Sequence, residues 1–275
     1  MSEYLAVAAI VKAEDPFLDE WIAYHRLMGV DYFILYDDDP RQNLSMLTAR
    51  HRAYVTVFSK AEFDNNSDGR NRQTRAYEHS LKQTGCRWIA FIDVDEFIVM
   101  RKHSTIVEFL HEFEDAEAVA LTWNMFGHNG YFENPPGLVT ELHTRRQAQP
   151  GNMRKLIVKR ESVVSVRGAH VCQMKCRHSI LDENHKLSTR EQYPGKTDIA
   201  HINHYFCRSF ENWMARVQRG SVAYSPEFYP PSEAWKYDEL QCLKKFVSYT
   251  KTSNELVDEF MLRYSDSIRS YLASL

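Results

Sequence analysis

The stretch Trp88-Ile89-Ala90-Phe91-Ile92-Asp93-Val94-Asp95-Glu96 decides the fold class of this chain. Its first five residues are an unbroken apolar run, which predicts a strand buried on both faces of a sheet. Acidic residues follow at once, so Asp93 and Asp95 are expected at the carboxyl end of that strand. Ligands of open α/β sheets bind at this end. The stretch therefore predicts both a central strand and a binding site beside it.

Three further strand patterns, each followed by a helical pattern, precede this stretch. Strands that alternate with helices favour right-handed crossovers and a largely parallel sheet with helices on both faces. The predicted strands are Tyr4 to Val11, Tyr32 to Tyr36 and Val55 to Phe58, and the predicted helices are residues 16–28, 44–50 and 70–84. In the first helix one apolar face is formed by Leu18, Trp21, Ile22 and His25. These patterns predict an α/β fold.

The second half of the chain loses this alternation. A loop-rich stretch covers residues 124–150, and it is followed by strand patterns at Lys155 to Val158, Val163 to Val166 and Ala200 to Phe206. We expect these to add antiparallel strands to the sheet. From Glu255 to Leu275 apolar residues recur at helical spacing, which predicts an amphipathic C-terminal helix. Because its polar face is not notably basic, we expect the helix to dock on the domain and not on a membrane.

Composition excludes several classes of protein. The 275 residues carry 34 Lys and Arg against 37 Asp and Glu, and 44% of them are hydrophobic. This balance favours a packed globular domain and gives no general attraction to nucleic acid. The apolar run from Tyr4 to Val11 is too short for a transmembrane segment. Five cysteines, an odd number, without a secretory signal predict free thiols and a cytoplasmic location.

The pair Asp93 and Asp95 forms an Asp-x-Asp motif, of which about one is expected by chance in a chain with this many aspartates. Its place after a buried strand is what makes it informative. Two neighbouring carboxylates repel each other unless a cation lies between them. Their hard oxygen atoms suit Mn²⁺ or Mg²⁺, which would leave coordination positions for a diphosphate. The alternative is a turn with solvated carboxylates.

At this point the chain resembles the GT-A glycosyltransferases, and more closely family 92 and related bacterial family 2-like proteins. The resemblance extends to about residue 220 and rests on blocks far more specific than Asp-x-Asp alone. The blocks are Val11-Lys12-Ala13-Glu14, Glu20-Trp21-Ile22-Ala23-Tyr24-His25, Tyr36-Asp37, residues 88–97, Lys155-Leu156-Ile157-Val158 and Asn203-His204-Tyr205 with a following Arg219-Gly220.

The resemblance implies a GT-A fold and a metal-dependent glycosyltransferase of glycan or polysaccharide biosynthesis. Residues 1–122 would bind the nucleotide sugar, residues 123–220 would close the metal site and hold the acceptor, and residues 221–275 would form a helical tail. A UDP-sugar is favoured as donor, and the acceptor would be a glycan, a lipid-linked sugar or a small molecule. The implied nucleotide contacts are Val11, Lys12, Glu14, Asp37 and Asp93, and the implied metal–diphosphate ligand is Asp95.

Two departures from the family pattern affect the nucleotide contacts. The first motif usually reads Lys-Asn-Glu, whereas Ala13 stands in place of the asparagine. Asp38-Asp39-Pro40-Arg41 replaces a more usual Asn-x-Ser turn. Asp37 could accept from a base N–H or a ribose hydroxyl, or it could only form the turn before Pro40.

A second group of polar residues lies at the start of the predicted helix 70–84. Arg72, Gln73 and Arg75 could reach a diphosphate or a sugar over the edge of the sheet. A solvated helix face is the alternative interpretation for these side chains.

Histidines cluster between residues 170 and 204. By resemblance His204 closes the metal site, with His170 as the second choice and His201 as the third. A different interpretation joins Cys172 and Cys176 to two histidines in a structural zinc site, which would make the chain a non-catalytic binding domain. The two histidines of that set are His170 and His178.

An inverting transfer needs a general base near the acceptor hydroxyl. Glu133 and Asp182 are our candidates, and Glu141 and Glu183 are also in the acceptor half. Aromatic residues that could stack on an acceptor sugar surround residues 127–130, namely Trp123, Phe126 and Tyr131. The alternative enzyme class is a haloacid-dehalogenase-like phosphohydrolase, but that class needs a small hydroxyl residue after Asp-x-Asp, where this chain has Glu96-Phe97.

Overall fold

A computed structural model describes residues 3–64, 69–176, 179–189, 195–219 and 239–275. The strands of these ranges are β1 Leu5–Val11, β2 Tyr32–Asp37, β3 Val55–Ser59, β4 Trp88–Phe91, β5 Glu96–Met100, β6 Ala118–Met125, β7 Arg145–Arg146, β8 Arg154–Lys159, β9 Val163–Gly168, β10 Val171–Met174, β11 Ile180–Asp182, β12 Ala200–His204 and β13 Leu256–Val257. The α-helices are α1 Asp15–Leu27, α2 Leu44–Leu47, α3 Lys60–Phe63, α4 Arg72–Ser80, α5 Ile106–His111, α6 Val139–Leu142, α7 Phe210–Arg219, α8 Glu239–Thr250 and α9 Ser265–Ala273.

The main sheet has the strand order β3-β2-β1-β4-β8-β6-β12-β5, with β11 beside β6. Strands β1 to β4 are parallel to one another, β8 runs antiparallel to both of its neighbours, and β6 returns to the first direction. The predicted α/β class with a mostly parallel sheet is therefore confirmed. Strand β12 corrects one detail, because it is parallel to β6 and antiparallel only to β5.

Strand β1 is buried on both faces of the sheet. Leu5, Val7 and Ala9 lie in one core with residues of α1, α5 and α9. Ala6 and Ala8 lie in a second core with residues of α4, β9 and β10. The alternation of side chains along a strand thus places one hydrophobic layer on each side of the sheet, which confirms the prediction of packing on both faces.

Strand β9 also departs from the prediction, because it leaves the main sheet and pairs with β10 in a two-stranded sheet. The proposed boundary between residues 122 and 123 falls inside β6. Residues 220–238, which include the start of the predicted tail, lie outside the described ranges.

The C-terminal region is only partly the long helix that its apolar spacing predicts. Residues 256–257 form β13, which pairs with β7, and a 3₁₀ turn at Phe260–Tyr264 precedes α9. Asp258 explains the change, because its carboxylate binds Arg146 at 2.8 Å and its backbone N–H donates to the carbonyl of Thr144. The docking prediction is confirmed, since Ile268 is fully buried in the core.

Two further sequence predictions concern the cysteines and membrane-spanning segments. All five cysteines are free thiols, as expected. Within the described ranges, no helix combines the length and the apolar character needed to cross a bilayer.

His25 of α1 is fully buried, and its hydrogen bonds require a neutral ring. Its Nδ1–H donates to the carbonyl of Trp21 at 2.8 Å, while Nε2 accepts from the backbone N–H of Ile98 at 3.3 Å. Burial lowers the pKa of His25 to about 3. The unfolded chain binds a proton at this histidine below about pH 6.5, whereas the folded chain does so only near pH 3. The free energy of unfolding therefore falls as the pH drops from 6.5 toward 3.

We therefore expect His25 alone to remove about 2 kcal/mol from the free energy of unfolding between pH 6.5 and 5. Urea unfolding at pH 7.5 and pH 5 would measure this loss for the native chain and for His25→Gln, which cannot titrate. The variant should be less stable at pH 7.5 but should lose less stability on acidification. Equal losses in the two proteins would contradict the assignment to His25.

Candidate active site

A cavity of about 190 Å³ lies at the carboxyl ends of β1 and β4, where the sequence places the binding site. The segment Asp93-Val94-Asp95 forms one wall between β4 and β5, and α7 forms the opposite wall. The lining residues are Ile10, Lys12, Glu14, Asp93, Val94, Asp95, Trp123, His204, Phe206, Arg216 and Arg219. Five polar residues predicted from the sequence are thus brought together here: Lys12, Glu14, Asp93, Asp95 and His204.

Asp93 is held by two neighbours that approach from inside the domain. Gln73 donates to Oδ1 at 2.8 Å, and the ammonium of Lys155 lies 2.7 Å from Oδ2. Lys155 is 1% exposed and also lies 3.2 Å from the carboxylate of Glu96. Burial acts to lower the pKa of Lys155, but Asp93 and Glu96 outweigh it and hold the pKa well above its ordinary value. Lys155 is therefore a permanent cation beneath the acidic motif.

Asp95 is 3% exposed and has different partners. Its Oδ2 lies 2.6 Å from Nη1 of Arg216 and 3.4 Å from Nε2 of His204. Burial acts to raise the pKa of Asp95, but Arg216 and His204 outweigh it and hold the pKa well below its ordinary value. Asp95 is thus ionised, and it lies beside His204, the histidine that the resemblance implies as its co-ligand.

Glu14 closes the cavity beside β1. Its carboxylate binds Arg208 at 2.9 Å and Arg219 at 2.7 Å. Burial acts to raise the pKa of Glu14, but the charges of Arg208 and Arg219 outweigh it and lower the pKa. Arg208 itself is 1% exposed and stacks on the ring of Phe17 at 3.6 Å. Glu14 therefore joins the strand end to the C-terminal part of the chain.

Sequence reasoning missed four of these cations or their roles. From the sequence, no role was assigned to Lys155 beyond a strand and a resemblance block or to Arg219 beyond a resemblance block, and neither Arg208 nor Arg216 was singled out. Lys155 left a usable signal, because it occupies a position in a buried strand whose neighbours are apolar. A lysine at such a position requires an anionic partner.

Ala13 lies between Lys12 and Glu14 with a positive φ of 51°. This left-handed conformation is costly for alanine and less so for asparagine, the residue usual at this position in the family pattern. The backbone N–H of Ala13 donates to Oδ2 of Asp39 at 2.9 Å, which holds the conformation in place.

We expect Ala13→Asn to raise the free energy of unfolding by about 0.5–1 kcal/mol, because asparagine relieves the backbone strain. Thermal unfolding followed by circular dichroism would measure the gain. Ala53→Asn is the matched control, since Ala53 is exposed and its φ is not positive. A gain in the control equal to that at residue 13 would refute the explanation by strain.

The acidic turn after β2 is used largely by the protein itself. Asp37 accepts from the backbone N–H groups of Asp39 and Leu44, so both of its oxygens form the turn. This matches the turn-forming alternative. Asp38 binds Arg72 at 2.5 Å through Oδ1, whereas its buried Oδ2 has no hydrogen-bond partner within the described part of the chain. Val11 contributes its carbonyl, which accepts from the backbone N–H of Asp38.

The three polar residues of α4 separate in the structure. Gln73 reaches Asp93, as described above, whereas Arg72 and Arg75 turn toward Asp64. Neither arginine lines the cavity. Of these three predicted diphosphate contacts, Gln73 is thus the one that lies near the site.

The remaining candidates lie outside the cavity. The Nδ1–H of His170 donates to the carbonyl of Arg154, and its ring contacts Trp123. Asp182 accepts from the backbone of its own turn at residues 184 and 186, and Glu133 lines a separate cleft against α7. A role of Glu133 or Asp182 as general base remains a prediction, because neither side chain lines the cavity.

The aromatic residues expected near an acceptor divide in the same way. Trp123 lines the cavity and packs against the tilted ring of His204, with 4.3 Å between the ring centroids. Its buried Nε1–H has no partner among the residues that the structure describes. Phe126 is buried in the core, and Tyr131 packs against His143. Trp123 is therefore the member of this group that can meet a ligand in the cavity.

The zinc alternative has little support in the described ranges. Burial raises the pKa of the Cys172 thiol to about 12, which opposes formation of the thiolate that zinc needs. His178 lies outside the described residues. Across the described ranges, no group of three or more His, Cys, Asp and Glu side chains is placed to hold a metal ion.

Two side chains of the cavity, Asp95 and His204, are suitable ligands for a divalent cation. Asp95 Oδ2 and His204 Nε2 lie 3.4 Å apart at one wall, so a carboxylate and an imidazole are available together. Such a pair fits Mn²⁺ or Mg²⁺ when water and phosphate oxygens supply the other ligands. The residues therefore fit a cation that is bound with a diphosphate.

A protein-family model described as glycosyltransferase family 92 matches residues 7–270 of this chain. A family 92 protein of Arabidopsis thaliana is 24% identical over 302 aligned positions, which cover 98% of this chain and 48% of the relative. A family 92 protein of Oryza sativa subsp. japonica is 26% identical over 56% of this chain and 26% of the relative. The chain thus spans about half the length, or less, of these curated relatives.

Among solved structures, glucosyl-3-phosphoglycerate synthase from Mycobacterium tuberculosis is 17% identical over 58% of each chain, with a TM-score of 0.37. Mannosyl-3-phosphoglycerate synthase from Rubrobacter xylanophilus is 15% identical over 58% of this chain and 55% of that chain, with a TM-score of 0.38. The family match, by contrast, runs from β1 to α9 and includes every residue that lines the cavity. On that match, this chain belongs to glycosyltransferase family 92.

Proposed function

We propose that this chain transfers a sugar from a nucleoside diphosphate donor to an acceptor hydroxyl, with UDP as the favoured nucleotide. The observation that carries the proposal is the composition of one cavity in a family 92 chain. It combines an acidic pair, an imidazole and three cationic side chains, namely Asp93, Asp95, His204, Lys12, Arg216 and Arg219. Family membership favours glycosyl transfer over the phosphohydrolase and zinc-domain alternatives.

The size of the cavity supports a particular placement of the donor. At about 190 Å³ it is smaller than the ~300–1,000 Å³ typical of sites that enclose a whole ligand. It suits the diphosphate, and the nucleoside would extend along the turn after β2. There Oδ2 of Asp38 has no hydrogen-bond partner within the described residues, and we expect it to accept from a base N–H or a ribose hydroxyl. We therefore assign the nucleoside contact to Asp38 in place of Asp37, whose oxygens both accept from the backbone.

The chain's own residues account for the rest of the chemistry. Lys12, Arg216 and Arg219 offset the negative charge that grows on the diphosphate as it leaves. Trp123, whose Nε1–H has no partner among the described residues, donates to the sugar or the acceptor. Mn²⁺ or Mg²⁺, held by Asp95 and His204 together with the diphosphate, would supply further charge neutralisation.

Calorimetric titration with UDP, with and without Mn²⁺, tests this proposal without knowledge of the sugar or acceptor. We expect the native chain to bind UDP when Mn²⁺ is present, and Asp95→Asn to weaken that binding by about 10- to 100-fold, because it removes a ligand charge. Asp266→Asn is the control, since Asp266 is exposed on α9, outside the cavity. If the native chain binds neither UDP nor GDP with Mn²⁺ present, the proposal is wrong.

A further inference from the structure

Helix α7 carries two arginines into the cavity on one side. Arg216 and Arg219 are three residues apart, which places them next to each other on a helix surface. Nη1 of Arg216 lies 2.6 Å from Asp95, and Nη2 of Arg219 lies 2.7 Å from Glu14. Arg219 also donates to the carbonyl of Lys12. Helix α7 is therefore tied to both acidic walls of the cavity by guanidinium groups.

The carboxylates of the cavity differ in where their cations come from. Asp93 is paired with Lys155, and Glu14 is paired with Arg208 as well as with Arg219. Lys155 and Arg208 are 1% exposed and do not line the cavity, so Asp93 and Glu14 each have a buried cation beyond a ligand's reach. Within the described ranges, the ion pairs of Asp95 are made with Arg216 and His204, which do line it. Asp95 is thus the carboxylate whose ion-pair partners, within the described ranges, all line the cavity.

Two side chains approach the same carboxylate oxygen of Asp95. Arg216 Nη1 and His204 Nε2 both face Oδ2, at 2.6 and 3.4 Å. A carboxylate oxygen offers about two lone-pair directions. Any further group that binds this oxygen must displace one of the two. The guanidinium is the movable one, because it stands on a long side chain stacked on Phe206 and is 20% exposed, whereas His204 belongs to a strand.

We propose that Arg216 is an exchangeable counter-ion, which neutralises Asp95 in the free protein and moves onto the diphosphate of an incoming nucleotide. This inference rests on the proposed function, because it assumes a nucleoside diphosphate in the cavity. Guanidinium groups bind phosphate oxygens in a bidentate manner, so the diphosphate can replace Asp95 as partner of Arg216. Asp95 is then free to accept a divalent cation.

The exchange couples the two ligands. A divalent cation alone must displace Arg216 and leave a largely buried guanidinium without its partner, which is unfavourable. A diphosphate supplies that partner. We therefore expect the cation and the nucleotide each to strengthen the binding of the other by the same factor. Glu14, 3.7 Å from Nη1 of Arg216, is too distant to take over the full role of Asp95.

Titration with Mn²⁺ in the absence of nucleotide tests the counter-ion directly, with free Mn²⁺ followed by electron paramagnetic resonance. Arg216→Gln should bind Mn²⁺ alone about tenfold more tightly than the native chain, because the guanidinium then no longer competes for Asp95. Arg219→Gln is the matched comparison, since Arg219 contacts Glu14 and not Asp95; its affinity for Mn²⁺ alone should rise much less than that of Arg216→Gln.

The same titrations with saturating UDP measure the coupling. In the native chain UDP should tighten Mn²⁺ binding by about tenfold or more, and in Arg216→Gln this factor should fall toward one. Circular dichroism checks that the variants fold, and Arg216→Lys, which keeps the charge, should show an intermediate coupling factor.

Two results would overturn the inference in different ways. If Arg216→Gln binds Mn²⁺ alone no more tightly than the native chain, while the native chain binds UDP, Arg216 is not the counter-ion and the proposed function stands. If the native chain does not bind UDP at all, the proposed function fails, and the transfer of Arg216 to a diphosphate fails with it.

Discussion

Replacing Lys155 with methionine is expected to lower the free energy of unfolding by about 3–5 kcal/mol, because it leaves the buried Glu96 and the partly exposed Asp93 without their cation. The ammonium of Lys155 lies 2.7 Å from Asp93 and 3.2 Å from Glu96, and Glu96 is completely buried. Chemical denaturation at neutral pH would measure the loss. Lys82→Met is the control, since Lys82 is exposed and its replacement should cost less than about 0.5 kcal/mol.

A second variant identifies the cause of the loss at Lys155. Burial raises the pKa of Glu96 to about 7 even beside Lys155, so without Lys155 this side chain must take up a proton at neutral pH, which costs stability. Adding Glu96→Gln removes that cost, so the double variant should regain part of the lost stability. If the double variant is less stable than Lys155→Met by the full cost of Glu96→Gln, the two residues are not coupled. In that case the ion pair is not the reason for the effect.

The second large effect is expected at Glu14. Glu14→Gln should cost about 3–5 kcal/mol of unfolding free energy, since Arg208 is 1% exposed and would lose the carboxylate that it binds at 2.9 Å. Arg219 would lose its partner as well, so we also expect weaker binding of UDP with Mn²⁺. Denaturant unfolding and calorimetry on the same protein would measure the two effects.

An exposed ion pair provides the comparison for Glu14. Glu161 binds Arg160 at 2.9 Å, but 81% of its side chain is exposed. Exposed pairs contribute about 0–1 kcal/mol, so Glu161→Gln should be nearly neutral. If Glu14→Gln lowers the free energy of unfolding no more than Glu161→Gln does, burial does not strengthen the ion pair of Glu14.

The local pattern of the chain was enough to predict most of the sheet. Strands β1, β2, β3 and β4 appear within a residue or two of the predicted bounds, because apolar runs of this length between turn residues have few other ways to bury their side chains. The C-terminal region was predicted less well. The contact of Asp258 with Arg146 joins residues 112 positions apart, and no local periodicity carries that information.

The acidic motif illustrates the same limit at the site. The repulsion between Asp93 and Asp95 predicts a cation, and in the described structure two protein cations meet that need, with Lys155 on Asp93 and Arg216 on Asp95. The repulsion between the two carboxylates therefore predicted correctly that they need cations, but it did not identify which side chains provide them. They lie 62 and 121 residues away in the chain.

From its sequence alone this chain could be identified as an α/β protein with an acidic motif at a strand end, and the resemblance selected Lys12, Glu14, Asp95 and His204. Apolar spacing and short motifs are local features, so they can be recognised in the sequence without the structure. Only the tertiary structure decided which charges meet. A lysine or arginine looks the same in sequence whether it is solvated or buried, and its energetic role depends on the solvent that packing excludes and the carboxylate that packing places beside it.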